Sequence, residues 1–283
     1  MARPGALAGM VDLACAAEAA GYRRFWIAEH HVPDTSHAAP EVVAAVVAAR
    51  TSRIRVGSGA VILRYYSPLK VAETFLALEA LFPGRIDLGV AQGPGVVDEA
   101  VAQALVGVNA WELQRTVFDR KVHELSELLR LAPATANPPR VRAQPDDVVP
   151  PPLWVLGSGR RSRELAVRLR RPYAMAVFVA GPNADVAGPA AEYRSRAATS
   201  PLLVAVSVTT AASPAEATSL DAAKVGSGLL AANLVGDHPS VAARLAALRE
   251  ETGADELLLT SFGEPPDRWQ ESLASIAAAW PSA

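Results

Sequence analysis

Apolar residues along this chain fall into short unbroken runs, separated by stretches where they recur every three or four positions. The runs are "RRFWIAEH" (23–30), "RIRVGSGAVIL" (53–63), "RIDLGVAQG" (85–93), "PLWVLGS" (152–158), "YAMAVFV" (173–179), "LLVAVSVTTA" (202–211) and "DELLLTSF" (255–262). Continuous apolar character of this length predicts strands buried on both faces of a parallel sheet. Between most of them lie helical patterns, "APEVVAAVVAART", "SPLKVAETFLALEALF", "RELAVRLR" and "HPSVAARLAALREETG", the last closed by a glycine. The chain opens on another, "GALAGMVDLACAAEAAGY", with Gly21 placed to stop it.

Strand followed by helix, repeated, is an α/β pattern, and at 283 residues a TIM-type (β/α)8 barrel fits better than a doubly wound sheet. Seven strand runs are found where a barrel needs eight, and the chain starts on a helix. The expectation is therefore a barrel lacking its first strand, with two raw edges unless a segment upstream or elsewhere fills the gap. Residues 133–152, "PATANPPRVRAQPDDVVPPP", predict a long loop of functional or mobile character. Strands resume directly after it, so the reading is one domain over residues 1–283.

Composition narrows the classes. A net charge of −2 removes the electrostatic drive for nucleic-acid binding. One cysteine, Cys15, excludes a disulfide framework. No run of roughly 20 uncharged apolar residues is present, and no secretory signal is read at the start. The expectation is a cytoplasmic protein without membrane or nucleic-acid partners.

In a parallel barrel the reactive groups sit at the C-terminal ends of strands. Four such ends carry unusual residues. The first delivers Glu29, His30 and His31 into a turn; the second gives Gly57, Ser58, Gly59 and Ala60; the third gives Gln92 and Gly93. The fourth gives Gly157, Ser158 and Gly159, then Arg160, Arg161 and Ser162 at a helix start. Glycines in mid-strand suggest close backbone approach to a ligand, or a strained peptide. A glycine turn opening a helix presents free N–H groups to an anion such as phosphate, although Ser162 as a plain cap with the arginines as a solvated face reads equally well.

Metal binding by the triplet is not favoured. Neighbouring strand residues point to opposite faces, and His37 is the single nearby third imidazole. His123 and His238 read as structural, and no Gly-x-Ser-x-Gly elbow occurs.

"FWIAEHH", "RIRVGSGAVIL…SPLKVAE", "LEALFPGRIDLGVAQGPG", "PLWVLGS" and "TGADELLLTSF" together resemble the luciferase-like flavin monooxygenases, specifically the bacterial luciferase-family oxidoreductase group 1. The match runs in order from residue 7 to about 262 and is strongest from 22 to 95. The resemblance implies a TIM barrel that takes reduced FMN from a separate flavin reductase, or less often the deazaflavin coenzyme F420. With O2 the flavin would form a C4a-peroxyflavin that oxygenates a small or medium organic substrate, as in secondary metabolism. It implies Glu29 beside the ring, His30 as the catalytic acid/base and His31 toward the flavin tail. It also implies a non-proline cis peptide at Gly59–Ala60, and a phosphate cradle of Ser158, Gly159 and Ser162.

The chain departs from that pattern at several points. Gln92 stands where the family has a phosphate-pairing arginine, leaving Arg160, Arg161, Arg115 or Arg120 to compensate. Arg64-Tyr65-Tyr66-Ser67 stands where the group commonly has Asn-His, so a phenol replaces an imidazole. The segment "SPAEATSLDAAKVGSGLLAANLVGDHP" is shorter than the family's insertion. Two functions follow: an FMN-dependent monooxygenase, or a non-catalytic flavin-binding or subunit-type homologue. Either would form a homodimer, or a heterodimer with a relative.

Overall fold

The computed structural model describes residues 6–32, 37–93, 98–107, 115–130 and 141–281. The chain divides into two compact units: residues 1–11 with 23–154, and residues 12–22 with 155–283. The opening helix α1 (Ala6–Ala19) precedes Gly21, whose φ of +86° ends it as the sequence predicts.

In the first unit, β1 (Arg24–Ile27), β2 (Arg55–Ile62) and β3 (Ile86–Ala91) run parallel, with Phe25 opposite Val56 and Val56 opposite Ile86. Leu88 N donates to Pro152 O, joining the approach to β4 (Leu153–Gly157). The helices are α2 (Pro40–Arg50), α3 (Pro68–Leu81), α4 (Glu99–Val106) and α5 (Arg115–Leu128). Pro40 and Pro68 open their helices at positions where a missing N–H costs nothing. Val43 and Val47 of α2, Phe75 and Leu76 of α3, and Ile86, Leu88 and Val90 of β3 are buried apolar core residues.

One polar cluster lies inside that core. Asp87 is fully buried, and its Oδ2 accepts from Arg24 Nη1 at 2.6 Å and Trp26 Nε1 at 3.0 Å. Its Oδ1 accepts from Arg55 Nη2 at 2.7 Å and Nε at 3.1 Å. Close backbone approach explains Gly57, where a Cβ would run into the Asp87 carbonyl.

In the second unit, β4 continues into parallel pairing with β5 (Tyr173–Ala176), and β5 with β6 (Leu202–Ala211). All ten residues of β6 are buried, as its apolar run predicts. Its first half pairs with β8 (Glu256–Thr260) and its second half with β7 (Leu234–Asp237). β7 corrects the strand count: an eighth strand forms inside the segment read as insertion. Its four residues, Leu234 to Asp237, are too short a run to stand out beside glycines and polar groups.

The helices of this unit are α6 (Arg160–Leu169), α7 (Ala187–Arg196), α8 (Pro214–Gly226), α9 (His238–Thr252) and α10 (Pro266–Ala278). Asp237 caps α9 through Ser240 N, and Gly253 ends it at φ +60°. β8 is only half-buried at every position, unlike β6. The reason is its place: among the described residues it pairs with β6 alone.

Residues 133–140 of the proline-rich loop lie outside the described residues, as do Pro33, Asp34, Pro94 and Gly95. No helix among the described residues is long and apolar enough to cross a membrane.

Candidate active site

The triplet leaves β1 immediately after Ile27. Glu29 is 3% exposed, a carboxyl group that burial alone would keep protonated. Burial indeed raises its pKa, and three donors oppose that by stabilising the charged form. Oε2 accepts from Ile62 N at 2.8 Å. Oε1 accepts from Tyr66 Oη at 2.8 Å and meets His31 Nε2 at 2.7 Å. With Glu29 ionised, His31 must carry its proton on Nε2 to make that contact. Tyr66 Oη also lies 3.3 Å from His31 Nε2, and Tyr65 stands edge-on to the His31 ring with centroids 6.4 Å apart.

Glu29 is therefore saturated by donors and acts as an anchor for its neighbours. Within the triplet, the side chain that stands exposed is His30. The His30 ring meets His37 edge-on, with centroids 5.3 Å apart. Partial burial, then repulsion from His37 and His31, lowers the His30 pKa from its ordinary value. A neutral imidazole at pH 7 is the form able to accept a proton.

The second strand end behaves as the pattern predicts in part. The Gly59–Ala60 peptide is cis. A Cβ at Gly59 would press on the Trp26 side chain, so no larger residue fits there. Ser58 is turned inward: its hydroxyl donates to Gly89 O at 2.8 Å and accepts from Gly89 N at 3.1 Å. That hydroxyl bridges β2 and β3 where their register shifts between Ser58 and Val61, instead of facing outward. Gln92 follows β3 directly and is half-buried.

In the second unit, Gly157, Ser158 and Gly159 form the turn from β4 into α6. Gly159 is the N-cap and no side chain caps the helix start, which leaves its N–H groups for an outside acceptor. Ser158 and Gly159 are exposed, and a Cβ at Gly159 would meet only open space. Ser162 hydroxyl donates to Gly159 O at 2.8 Å, so it braces the turn and does not cap the helix. The Tyr173 hydroxyl donates to Gly157 O at 2.6 Å and shapes the same turn.

Arg160 is exposed and tied to Glu164 at 2.6 Å, one helical turn on. The i,i+4 spacing of those two residues was visible in the sequence, where Arg160 reads as a compensating cation. His238 keeps a local role: its Nδ1 lies 3.0 Å from Thr210 Oγ1, whose own hydrogen goes to Gly236 O. Among the described residues no group of three or more His, Cys, Asp or Glu is placed to hold a metal ion.

The family model for luciferase-like monooxygenases matches residues 1–225. The chain belongs to the luciferase-like monooxygenase family. N-acetyl-S-alkylcysteine monooxygenase of Bacillus subtilis is 41% identical over 175 residues, covering 60% of this chain and 51% of that protein. The chain spans about half the length of the curated relatives it matches. The crystal structure of apo-MsnO8 is similar with a TM-score of 0.83 and 30% identity, over 96% of this chain and 92% of that one. The oxygenating constituent of 3,6-diketocamphane monooxygenase from Pseudomonas putida, in complex with FMN, shares the fold. Its TM-score is 0.73 at 17% identity, over 98% and 93% of the two chains. The sequence reading of a TIM-type α/β fold and of this luciferase-like family agrees with these likenesses.

Proposed function

We propose that this chain is the oxygenase of a two-component, FMN-dependent monooxygenase acting on a small or medium organic substrate. The observation that carries the reading is the buried carboxylate Glu29, saturated by Ile62, Tyr66 and His31, beside the accessible His30 and the Gly59–Ala60 pair. Such a set fits the ring of a flavin, with His31 donating and a His30 ring nitrogen exchanging a proton. Reduced FMN would supply the electrons that activate O2. Taken by itself, the second unit's Ser158–Gly159 turn, braced by Ser162, and the uncapped start of α6 suit an anion such as a phosphate. An anion at a helix start is stabilised by about 0.3–1 kcal/mol. With Arg160 tied to Glu164, the backbone N–H groups carry most of that recognition.

The test is product formation under labelled oxygen. The chain, a flavin reductase, FMN and a thioether such as an N-acetyl-S-alkylcysteine should together place one 18O atom in the product. The thioether is chosen because a relative is named for that substrate. Turnover without a second oxygenase chain excludes the subunit-type reading.

We also propose that two copies associate through the outer faces of α2 and α3. Val42, Val46 and Leu81 stand exposed there, the residues retaining 60%, 47% and 70% of their accessible surface. Sedimentation should find a dimer for the natural sequence and a monomer for Val42→Glu/Val46→Glu. A natural chain that is monomeric at micromolar concentration contradicts this surface assignment.

A further inference from the structure

We propose that Tyr66 is a positioning residue: its hydroxyl holds Glu29 ionised, and so keeps His31 oriented as an Nε2–H donor. The inference rests on reading this cluster as part of the reaction site.

The phenol is delivered by a built support. Residues Leu63–Tyr65 form a single tight turn closed by Tyr66 N donating to Leu63 O at 3.2 Å. Behind it, Lys121 of α5 is 5% exposed, and its Nζ donates to Arg64 O at 2.9 Å and Tyr66 O at 2.7 Å. A buried ammonium gripping two carbonyls around Tyr65 fixes the direction of the Tyr66 side chain. Tyr66 also packs against the apolar cluster of Ile62, Tyr65, Ala102 and Val106. Three separated chain segments thus converge to place one hydroxyl 2.8 Å from Glu29 Oε1.

The charges around the pair are few. Glu29 faces His31 from its own segment and Tyr66 from the turn, and His30 and His37 stand beyond His31. Tyr65 and Arg64 flank the turn, Glu41 of α2 acts on Tyr66 from a distance, and Lys121 lies on the carbonyl side. Burial and the adjacent carboxylate raise the Tyr66 pKa, so the phenol keeps its hydrogen and remains a donor throughout the working range. Each donor on a buried carboxylate favours its charged form. Removing this one must shift Glu29 toward protonation, and a protonated Glu29 no longer requires the hydrogen on His31 Nε2.

The experiment follows the Glu29 carboxyl carbon by 13C NMR across pH in the flavin-free full chain, with Glu29→Gln to assign the signal. Tyr66→Phe should raise the Glu29 midpoint by about one pH unit, a tenfold change in its proton affinity. Tyr66→3-fluorotyrosine keeps the shape and strengthens the donor, so it should move the midpoint the other way. Midpoints that stay put in both variants, or that move in the same direction, overturn the proposal. A second arm measures FMN affinity against pH. Its acidic limb should move with the Glu29 midpoint in each variant, and a limb that stays fixed while the carboxyl shifts also overturns it. If the natural chain binds no FMN at any pH, the flavin reading fails, and the NMR arm still decides the role of Tyr66.

Discussion

Asp87→Ala is expected to cost about 3–5 kcal/mol of folding stability, the cost of breaking a buried charge pair on one side. The carboxylate has no exposed surface and satisfies three side chains, Arg24, Arg55 and Trp26, drawn from the two preceding strands. Removing it takes a buried carboxylate away from two guanidinium groups at the strand starts, 15% and 27% exposed. A domain is stable by only about 5–15 kcal/mol in total, so this variant should unfold at markedly lower urea. Equilibrium urea denaturation followed by tryptophan fluorescence measures the loss. A change below about 1 kcal/mol would mean that the cluster is screened by water and does not hold β1, β2 and β3 together.

His30→Ala is expected to lower turnover by about 10²–10⁴-fold while FMN affinity changes little, the range for loss of a general acid or base. The His30 side chain is exposed, whereas Glu29 is buried and in contact with His31, so His30 is the imidazole of the triplet that a substrate can reach. Its lowered pKa sets the sign of the pH dependence. The neutral form, able to accept a proton, should dominate above a midpoint lying below the ordinary histidine value. Turnover of the natural chain should therefore rise with pH through that midpoint and level off by neutrality. Steady-state rates with reductase-supplied flavin, from pH 5 to 8, give the curve. An unchanged rate in His30→Ala would assign the proton transfer elsewhere.

Much of this architecture could be read from residue order, and the exceptions share a cause. Apolar runs located seven strands because an unbroken apolar stretch marks a strand of a parallel sheet, and β6, buried at all ten positions, is the plainest case. The strand β7 escaped because four residues carry no period and its partner is only the far end of β6. The Glu29 triplet was visible as polar groups past a strand, but its bonding was not. Ile62 and Tyr66 reach Glu29 from 33 and 37 residues away, a distance that sequence spacing does not encode.

Ser58 and Ser162 illustrate the limit from the other side. Their places at a strand end and a helix start made both candidates for a ligand site, and in the fold one hydroxyl bridges β2 to β3 while the other braces the Gly159 turn. A hydroxyl can donate to whichever carbonyl folding brings near, so its role is decided by tertiary contacts. Arg160 is the opposite case. Its pairing with Glu164 is local, and the i,i+4 rule alone predicts it.

The claim at the centre of this account is that the chain holds FMN, recognised through its phosphate as well as its ring. Equilibrium titration of the full chain with FMN, riboflavin and coenzyme F420, read by quenching of flavin or tryptophan fluorescence, tests it most directly. The account predicts one FMN per chain, bound at least about tenfold more tightly than riboflavin, which lacks the phosphate, and more tightly than F420. Absence of saturable FMN binding, or equal affinity for FMN and riboflavin, would contradict it.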